Sequence, residues 1–404
     1  MSTKPKAATG FIFVTLLLDT IGFGIIIPVV PGLIMELIEG DVSNASLYGG
    51  ILTFSFAFSQ FLSAPILGGL SDKYGRRPIL LISLFGFGLN YLLTAWAPTI
   101  GWLFLARIFS GITSATTTTG SAYIADVSAP EKRAQNFGLI GAAFGLGFII
   151  GPVIGGFLGE YGLRVPFLAA AGLTFINWLY GFFVLPESLK VENRRAYSWK
   201  RANPLGSLLQ LKKYPIIIGL IAALFFVHFA SHSTQSIWTY YTMLKFDWSP
   251  IMIGWSLGFV GLMVVLVQGV LVRKFIPVIG ENKGIYIGLS FYVIGFILFA
   301  FASEGWMMFA FCIPYVLSGL SGPSMQSIMT RQVESNAQGE LQGAIASVVS
   351  LTAALAPPVM TGIFYKFTQD SAPIFFPGAP FILGAILAIV SIVLARRSLT
   401  NHHL

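Results

Sequence analysis

The chain has 404 residues, 55% of them hydrophobic and only 10% charged, a balance that excludes a water-solvated globular surface. Its net charge of +8 would suit a nucleic-acid binder only if the basic residues formed a patch, and they do not. The single cysteine, Cys312, excludes an internal disulfide and suggests no metal cluster.

A hydrocarbon core about 30 Å thick takes roughly 20 apolar residues of helix per crossing. Twelve such runs fall near 10–35, 46–70, 78–96, 101–124, 134–159, 164–185, 214–243, 250–272, 284–303, 305–329, 340–364 and 376–395. They predict an all-α membrane protein of twelve transmembrane helices in two pseudo-symmetric six-helix bundles. The bundles span 1–185 and 214–404, joined by a basic cytoplasmic linker at 186–213. The first run exceeds a signal core, carries Asp19 and lacks a small-residue cleavage site, so it counts as a helix. Of the 24 Lys and Arg, only Arg164, Lys245 and Lys366 fall in outer connections and Arg107 within a run; the rest lie on inner segments. That bias places both termini in the cytoplasm of an inner (plasma) membrane protein. Trp96, Trp102, Trp248 and Trp306 fall near outer ends, where amphipathic rings favour the headgroup layer.

In the first run, Asp19 lies about nine residues and hence roughly 14 Å deep, near the bilayer centre. A carboxylate there costs about 2.5–3.5 kcal/mol, so it must face a wet cavity, pair with a cation or take up a proton. Arg107 reaches about 9 Å in from the opposite face and is the obvious partner. Because arginine stays charged, Asp19 is the candidate proton carrier and Arg107 its countercharge; a fixed structural ion pair is the alternative.

Between the second and third runs stands Gly68-Gly69-Leu70-Ser71-Asp72-Lys73-Tyr74-Gly75-Arg76-Arg77-Pro78. Gly75 permits a tight turn, while Arg76 and Arg77 hold the loop at the interface. Asp72 is placed to face the start of the eleventh run near Gln338 to Gln342, where free N–H groups favour an acid by about 0.3–1 kcal/mol. Asp126, at the inner end of the fourth run, is a second acid for Arg76. These five residues are candidate gating groups; the plainer alternative is that the charges only enforce topology. An eroded copy of the loop follows Gly269, running to Phe275 and then Gly280-Glu281-Asn282-Lys283.

The fifth run is rich in glycine, with Gly145, Gly151, Pro152 and Gly155 among its small or kinking residues. It lacks the GK[ST] ending of a phosphate loop, and small residues three and four apart predict close helix approach instead. Candidate substrate contacts are the intramembrane polar groups Gln60, Asn90 and Gln326, with His232, Gln235 and Trp238 of the seventh run. His228 and His232 share a helix face, but no HExxH pattern accompanies them and no metal is expected.

Together these motifs resemble the major facilitator superfamily. Gly68-x-x-x-Asp72-Lys73-x-Gly75-Arg76-Arg77 is similar to its signature loop, and Arg107-Ile108-Phe109-Ser110-Gly111 to its fourth-helix motif. Within it the chain resembles the tetracycline-exporter group of drug–proton antiporters. That likeness rests on Leu17-Leu18-Asp19-Thr20-Ile21-Gly22-Phe23-Gly24 with Pro28 to Leu33, on Gly145-x-Gly147-x-x-x-Gly151-Pro152-x-x-Gly155-Gly156, and on Gly339-Glu340-Leu341-Gln342-Gly343. The resemblance implies proton-coupled export by alternating access, with substrate near the midplane. Where that group looks acidic in the third and ninth helices, this chain has Asn90 and Tyr292.

The residues alone leave open an exporter of a small amphipathic compound, a proton-linked importer of a sugar or other metabolite, and a non-transporting receptor or scaffold. An enzyme is not expected, since no nucleophile–base pair or metal set is legible. The expected partners are a small-molecule substrate, protons and membrane lipid, with no cofactor and no nucleic acid, and the expected state is a monomer.

Overall fold

The computed structural model describes residues 5–128, 133–194, 215–333 and 338–400, in which every regular element is a helix. Of the linker expected at 186–213, only the part up to Arg194 falls within the described residues.

The first crossing is α1 (Pro5–Ile26) and α2 (Val30–Ile38), interrupted at Pro28, which lacks an N–H to donate. Then come α3 (Val42–Tyr74), α4 (Arg76–Ala95), α5 (Ile100–Thr113) and α6 (Thr116–Val127). They are followed by α7 (Arg133–Gly159), continuous through Pro152, and α8 (Val165–Val184). The second half opens with α9 (Pro215–Gln235) and α10 (Trp238–Phe246). Next are α11 (Pro250–Leu266) and α12 (Val272–Ile279), joined by a π-helical turn at Val267–Leu271. The chain continues with α13 (Glu281–Phe301), α14 (Gly305–Leu317), α15 (Ser321–Arg331), α16 (Gln338–Thr368) and α17 (Ala379–Thr400).

Eleven helical stretches among the described residues are long and apolar enough to cross a membrane. The remaining expected crossing, the fourth, at 101–124, is divided between α5 and α6, neither long enough alone. Polar side chains gather at the break, and one of them takes a main-chain N–H there. The Ala115 N–H donates to Ser83 Oγ at 3.2 Å, and Gln60 Nε2 donates to Ser114 Oγ at 2.7 Å. Substituting side-chain bonds for main-chain ones in this way lets a helix break inside an apolar medium.

The halves repeat one another in local geometry. Both first crossings are broken, and the pieces α2 and α10 end on left-handed acids, Glu39 at φ 50° and Asp247 at φ 51°. Gly75 and Gly280 each sit at positive φ, 109° and 80°, directly before a helix. The broken α5–α6 crossing has its counterpart in α14 and α15, separated by Ser318–Leu320. These landmarks set the register, which pairs Gly280 with Gly75 and leaves Gly269 without a matching turn. The copy sought around Gly269 is therefore not eroded; it is displaced, because the turn that defines it follows α12.

By contact the chain forms two compact units, Met1–Gly40 with Ser55–Asn203 and Ser249–Gly261, and Asp41–Phe54 with Pro204–Trp248 and Leu262–Leu404. In the first, α7 crosses α1 at glycines: a Cβ on Gly151 would lie 2.7 Å from Gly24 Cα, and one on Gly155 would overlap the Ile25 carbonyl. The other face of α7 meets the start of α11, where a Cβ on Gly156 would lie 2.9 Å from Ile251 Cα. Within the second unit, the start of α3 lies on α10 and α16, with Gly49 against the Tyr240 hydroxyl and Gly50 against Thr361. Trp96, Trp102 and Trp306 are exposed. Trp248 differs from its expected headgroup position: it is buried, 5.6 Å centroid to centroid from Phe309, because Gly305 leaves room for its indole.

Candidate functional site

Asp19 occupies the middle of α1, half-buried. The Thr116 hydroxyl, on the first turn of α6 after the break, acts on its carboxylate but falls short of full hydrogen-bond geometry. Tyr91 of α4 is buried and feels the charges of both Asp19 and Arg107. One turn beyond Asp19, Gly22 keeps this corner open, since a Cβ there would stand 3.3 Å from Thr174 Oγ1 and 3.9 Å from the Tyr91 hydroxyl. The surroundings are polar. Asn177 Nδ2 donates to the Thr15 carbonyl at 2.9 Å. Asn90 Oδ1, Thr119 Oγ1, Thr174 Oγ1 and Asn177 Oδ1 are buried without a protein hydrogen bond. Such oxygens are stable only when water or a polar ligand solvates them, which is the environment an intramembrane carboxylate needs.

Of the expected substrate contacts in this unit, Asn90 faces that lining, whereas Gln60 holds the α5–α6 break through Ser114. In the second unit His232 is half-buried one turn after His228. Gln235 donates to Ser231 Oγ at 3.3 Å, and that hydroxyl donates to the His228 carbonyl at 2.7 Å. Trp238 is only 3% exposed and packs edge-on against Phe299 at 5.2 Å, which makes it a core residue in this conformation. Gln326 is exposed and donates to Gln342 Oε1 at 3.4 Å. Tyr292 and Tyr315 are partners, their ring centroids 5.4 Å apart, and Ser231 and Thr234 stand beside them.

A charged node surrounds the α3–α4 turn. Arg76 pairs with Asp72 one turn back and with Asp126 Oδ2 at 3.1 Å at the end of α6; Nη1 also donates to Ser71 Oγ at 3.2 Å. Arg77 donates to the Phe182 carbonyl, and its guanidinium lies 5.7 Å from the centre of the Phe182 ring. Sequence reasoning missed Glu187. Its carboxylate accepts the N–H of Arg76 at 2.9 Å and of Arg77 at 3.3 Å, so it caps the start of α4, and it also accepts the N–H of Ser188 and Leu189, each at 3.0 Å. The need for it was legible: a helix that begins Arg-Arg has the wrong charge for its own dipole and calls for an acid from elsewhere. Ser188 Oγ donates to Asp126 at 3.0 Å and Tyr123 to the Pro186 carbonyl at 3.0 Å, which bind the residues after α8 into the node. Of the small residues singled out in α7, Gly151 and Gly155 meet α1 backbone, Pro152 reaches Gly24, and Gly145 is half-buried a turn and a half earlier.

A helical membrane protein of two like halves, with a carboxylate in the middle of a membrane helix and charged nodes at its helix turns, is built as a secondary transporter. The chain belongs to the Major Facilitator Superfamily, whose family model matches residues 12–357. It is 38% identical over 394 residues to the class C tetracycline resistance protein of Escherichia coli, an alignment covering 98% of each chain. With the class B protein of Escherichia coli it shares 33% over 393 residues, 96% of this chain and 95% of that one. Among solved structures, the human organic anion transporter MFSD10 superposes with a TM-score of 0.72 at 23% identity, over 98% of this chain and 100% of that one. The nucleoside transporter NupG gives 0.75 at 16%, over 98% and 99%. At those identities the superpositions speak for the fold alone. The protein is accordingly a multi-pass membrane transporter of this superfamily.

Proposed function

We propose that the protein is an inner-membrane antiporter that exports a small amphipathic, drug-like compound, tetracyclines among them, in exchange for protons. The observation that carries this reading is Asp19, a carboxylate in the middle of a membrane helix, acted on by Thr116 and sharing Tyr91 with Arg107. In the proposed cycle a proton on Asp19 discharges the site and releases Arg107 or a cationic substrate; loss of the proton restores the attraction. Asp72, Arg76, Arg77 and Asp126, turned by Gly75, form the cytoplasmic latch that closes in one state and opens in the other. Glu187 belongs to the same latch. The near full-length identity to tetracycline resistance proteins supports export, and the carboxyl half contributes recognition through His232, Gln235 and Gln326. We assign the working unit as a monomer with both termini cytoplasmic. The test is purified protein in liposomes with an imposed pH gradient and tetracycline inside or outside. Wild type accumulates drug against its gradient, and Asp19→Asn binds it without uphill transport; full uphill transport by Asp19→Asn removes Asp19 from the coupling role.

A further inference from the structure

The register of the two halves uncovers a relation that the sequence hides. Gly75 ends α3, bonding its N–H to the Ser71 carbonyl at 3.1 Å, and Gly280 ends α12 in the same way, N–H to the Ile276 carbonyl at 2.9 Å. Their backbone angles agree, φ 109° with ψ 161° and φ 80° with ψ 157°. The next residue opens a helix in each case: Arg76 in α4, Glu281 in α13. Arg76 is paired with Asp126, at the end of α6; Glu281 is paired with Arg331, at the end of α15. Each pair joins residues 50 positions apart along the chain. A serine hydroxyl completes both, Ser188 on Asp126 and Ser327 on Glu281, the latter at 2.6 Å. The charges have changed places.

That inversion accounts for the different sizes of the two nodes. A carboxylate at the first position of a helix is stabilised by the free N–H groups there, whereas a guanidinium is not. Glu281 therefore serves as both ion-pair partner and helix-start acid, while Arg76 needs Glu187 and Asp72 around it. In each node the residue on the helix start is the better buried: side-chain exposures are 12% for Arg76 against 21% for Asp126, and 21% for Glu281 against 65% for Arg331. Arg331 also borders a shallow surface depression lined by Ile279 to Lys283, open to the surroundings. It has room to leave its partner without unfolding either helix.

We propose that Glu281, Arg331 and Ser327 form a switch of the carboxyl half, the charge-inverted counterpart of the Arg76–Asp126 node. It ties α13 to α15 in one state of the cycle and releases Arg331 to the open surface beside it in the other. The inference rests on the alternating-access reading above; all three are positioning residues, remote from Asp19 in sequence and in a separate compact unit.

The experiment compares wild type with Glu281→Gln, Arg331→Gln, Ser327→Ala and the double exchange Glu281→Arg with Arg331→Glu. Initial rates of tetracycline–proton exchange are read in everted vesicles, and amide hydrogen exchange of residues 281–287 and 325–331 in the purified full chain. Each charge-removing variant is expected to lower turnover about tenfold, one lost charge-assisted bond, with KM changed by less than about twofold. Ser327→Ala, which leaves both charges, is expected to lower it about threefold. The double exchange should return turnover to within about threefold of wild type, and amide protection at both segments with it. Wild-type turnover and amide protection in both charge-removing variants overturns the proposal. So does a double exchange that melts like wild type yet performs no better than either single change. Should wild type exchange no tetracycline, that failure belongs to the transport reading, and amide exchange decides the pair by itself: absence of coupling between the two segments overturns it.

Discussion

Glu187 shows how much one carboxylate can organise. It accepts four backbone N–H groups and so fixes the chain after α8 to the start of α4, where the arginines would otherwise face an unfavourable dipole. Glu187→Gln keeps the size and one acceptor oxygen but removes the charge; for a group this exposed, screening limits the loss to about 1 kcal/mol. The expected result is a modest fall in melting temperature with a larger fall in transport rate, as the proposed latch would lose its anchor; an unchanged rate would separate Glu187 from it. Thr116→Val tests the other site at the same scale. It preserves shape, removes the hydroxyl acting on Asp19, and is expected to lower proton-coupled accumulation of tetracycline severalfold while drug binding holds. Legibility differed between these two places for a physical reason. Asp19 announces itself because a charge within an apolar run has few innocent explanations. The role of Glu187 depends on a turn folding back over 110 residues of chain, which no local pattern records.

At the scale of elements, the α1–α7 crossing is set by backbone meeting backbone. A side chain on Gly155 would enter the Ile25 carbonyl, and one on Gly151 would press on Gly24, so neither neighbour can step aside by changing rotamer. Gly155→Val and Gly151→Val are therefore expected to cost about 1–3 kcal/mol or more, seen as lower folded yield on size exclusion in detergent and a lower melting temperature. Gly141→Ala, on the same helix with nothing within 4 Å of its Cβ, is the control and should leave both unchanged. Spacing in the sequence identified this helix as a close-packing one and singled out Gly145, Gly151 and Gly155; the approach of α1 is what separates Gly151 and Gly155, which meet its backbone, from Gly141, which meets nothing. Breaks were harder to foresee. Pro28 marks the one in the first crossing, whereas the α5–α6 break depends on Ser83 and Gln60 arriving from α4 and α3 to take over its polar groups.

Across the whole molecule the two halves share backbone landmarks, and at the Gly75 and Gly280 turns the paired charges are reversed. Hydropathy located eleven of the twelve expected crossings among the described residues because each must satisfy the same bilayer thickness, and the superfamily resemblance followed from the loop at Gly68 to Pro78 and the helix motifs. The second copy of that loop was legible as a faint match from Gly269 to Lys283, but its register was not, because its charges are inverted and the positive-φ glycines Gly75 and Gly280 give the pairing. The duplication makes a topological demand that can be measured. With an even number of crossings, the turn at Asn282 must face the same side as Lys73, and the turns at Pro98 and Glu304 must share the opposite side. The single Cys312 is buried and will not compete for a membrane-impermeant maleimide, so one cysteine can be introduced at a time. Pro98, Asn282 and Glu304 are each exposed. In intact cells Pro98→Cys and Glu304→Cys should be labelled and Asn282→Cys protected, with the pattern reversed in everted vesicles. Labelling of Asn282→Cys and Glu304→Cys from the same side would break the repeat, because α13 alone separates them and would then not cross the membrane.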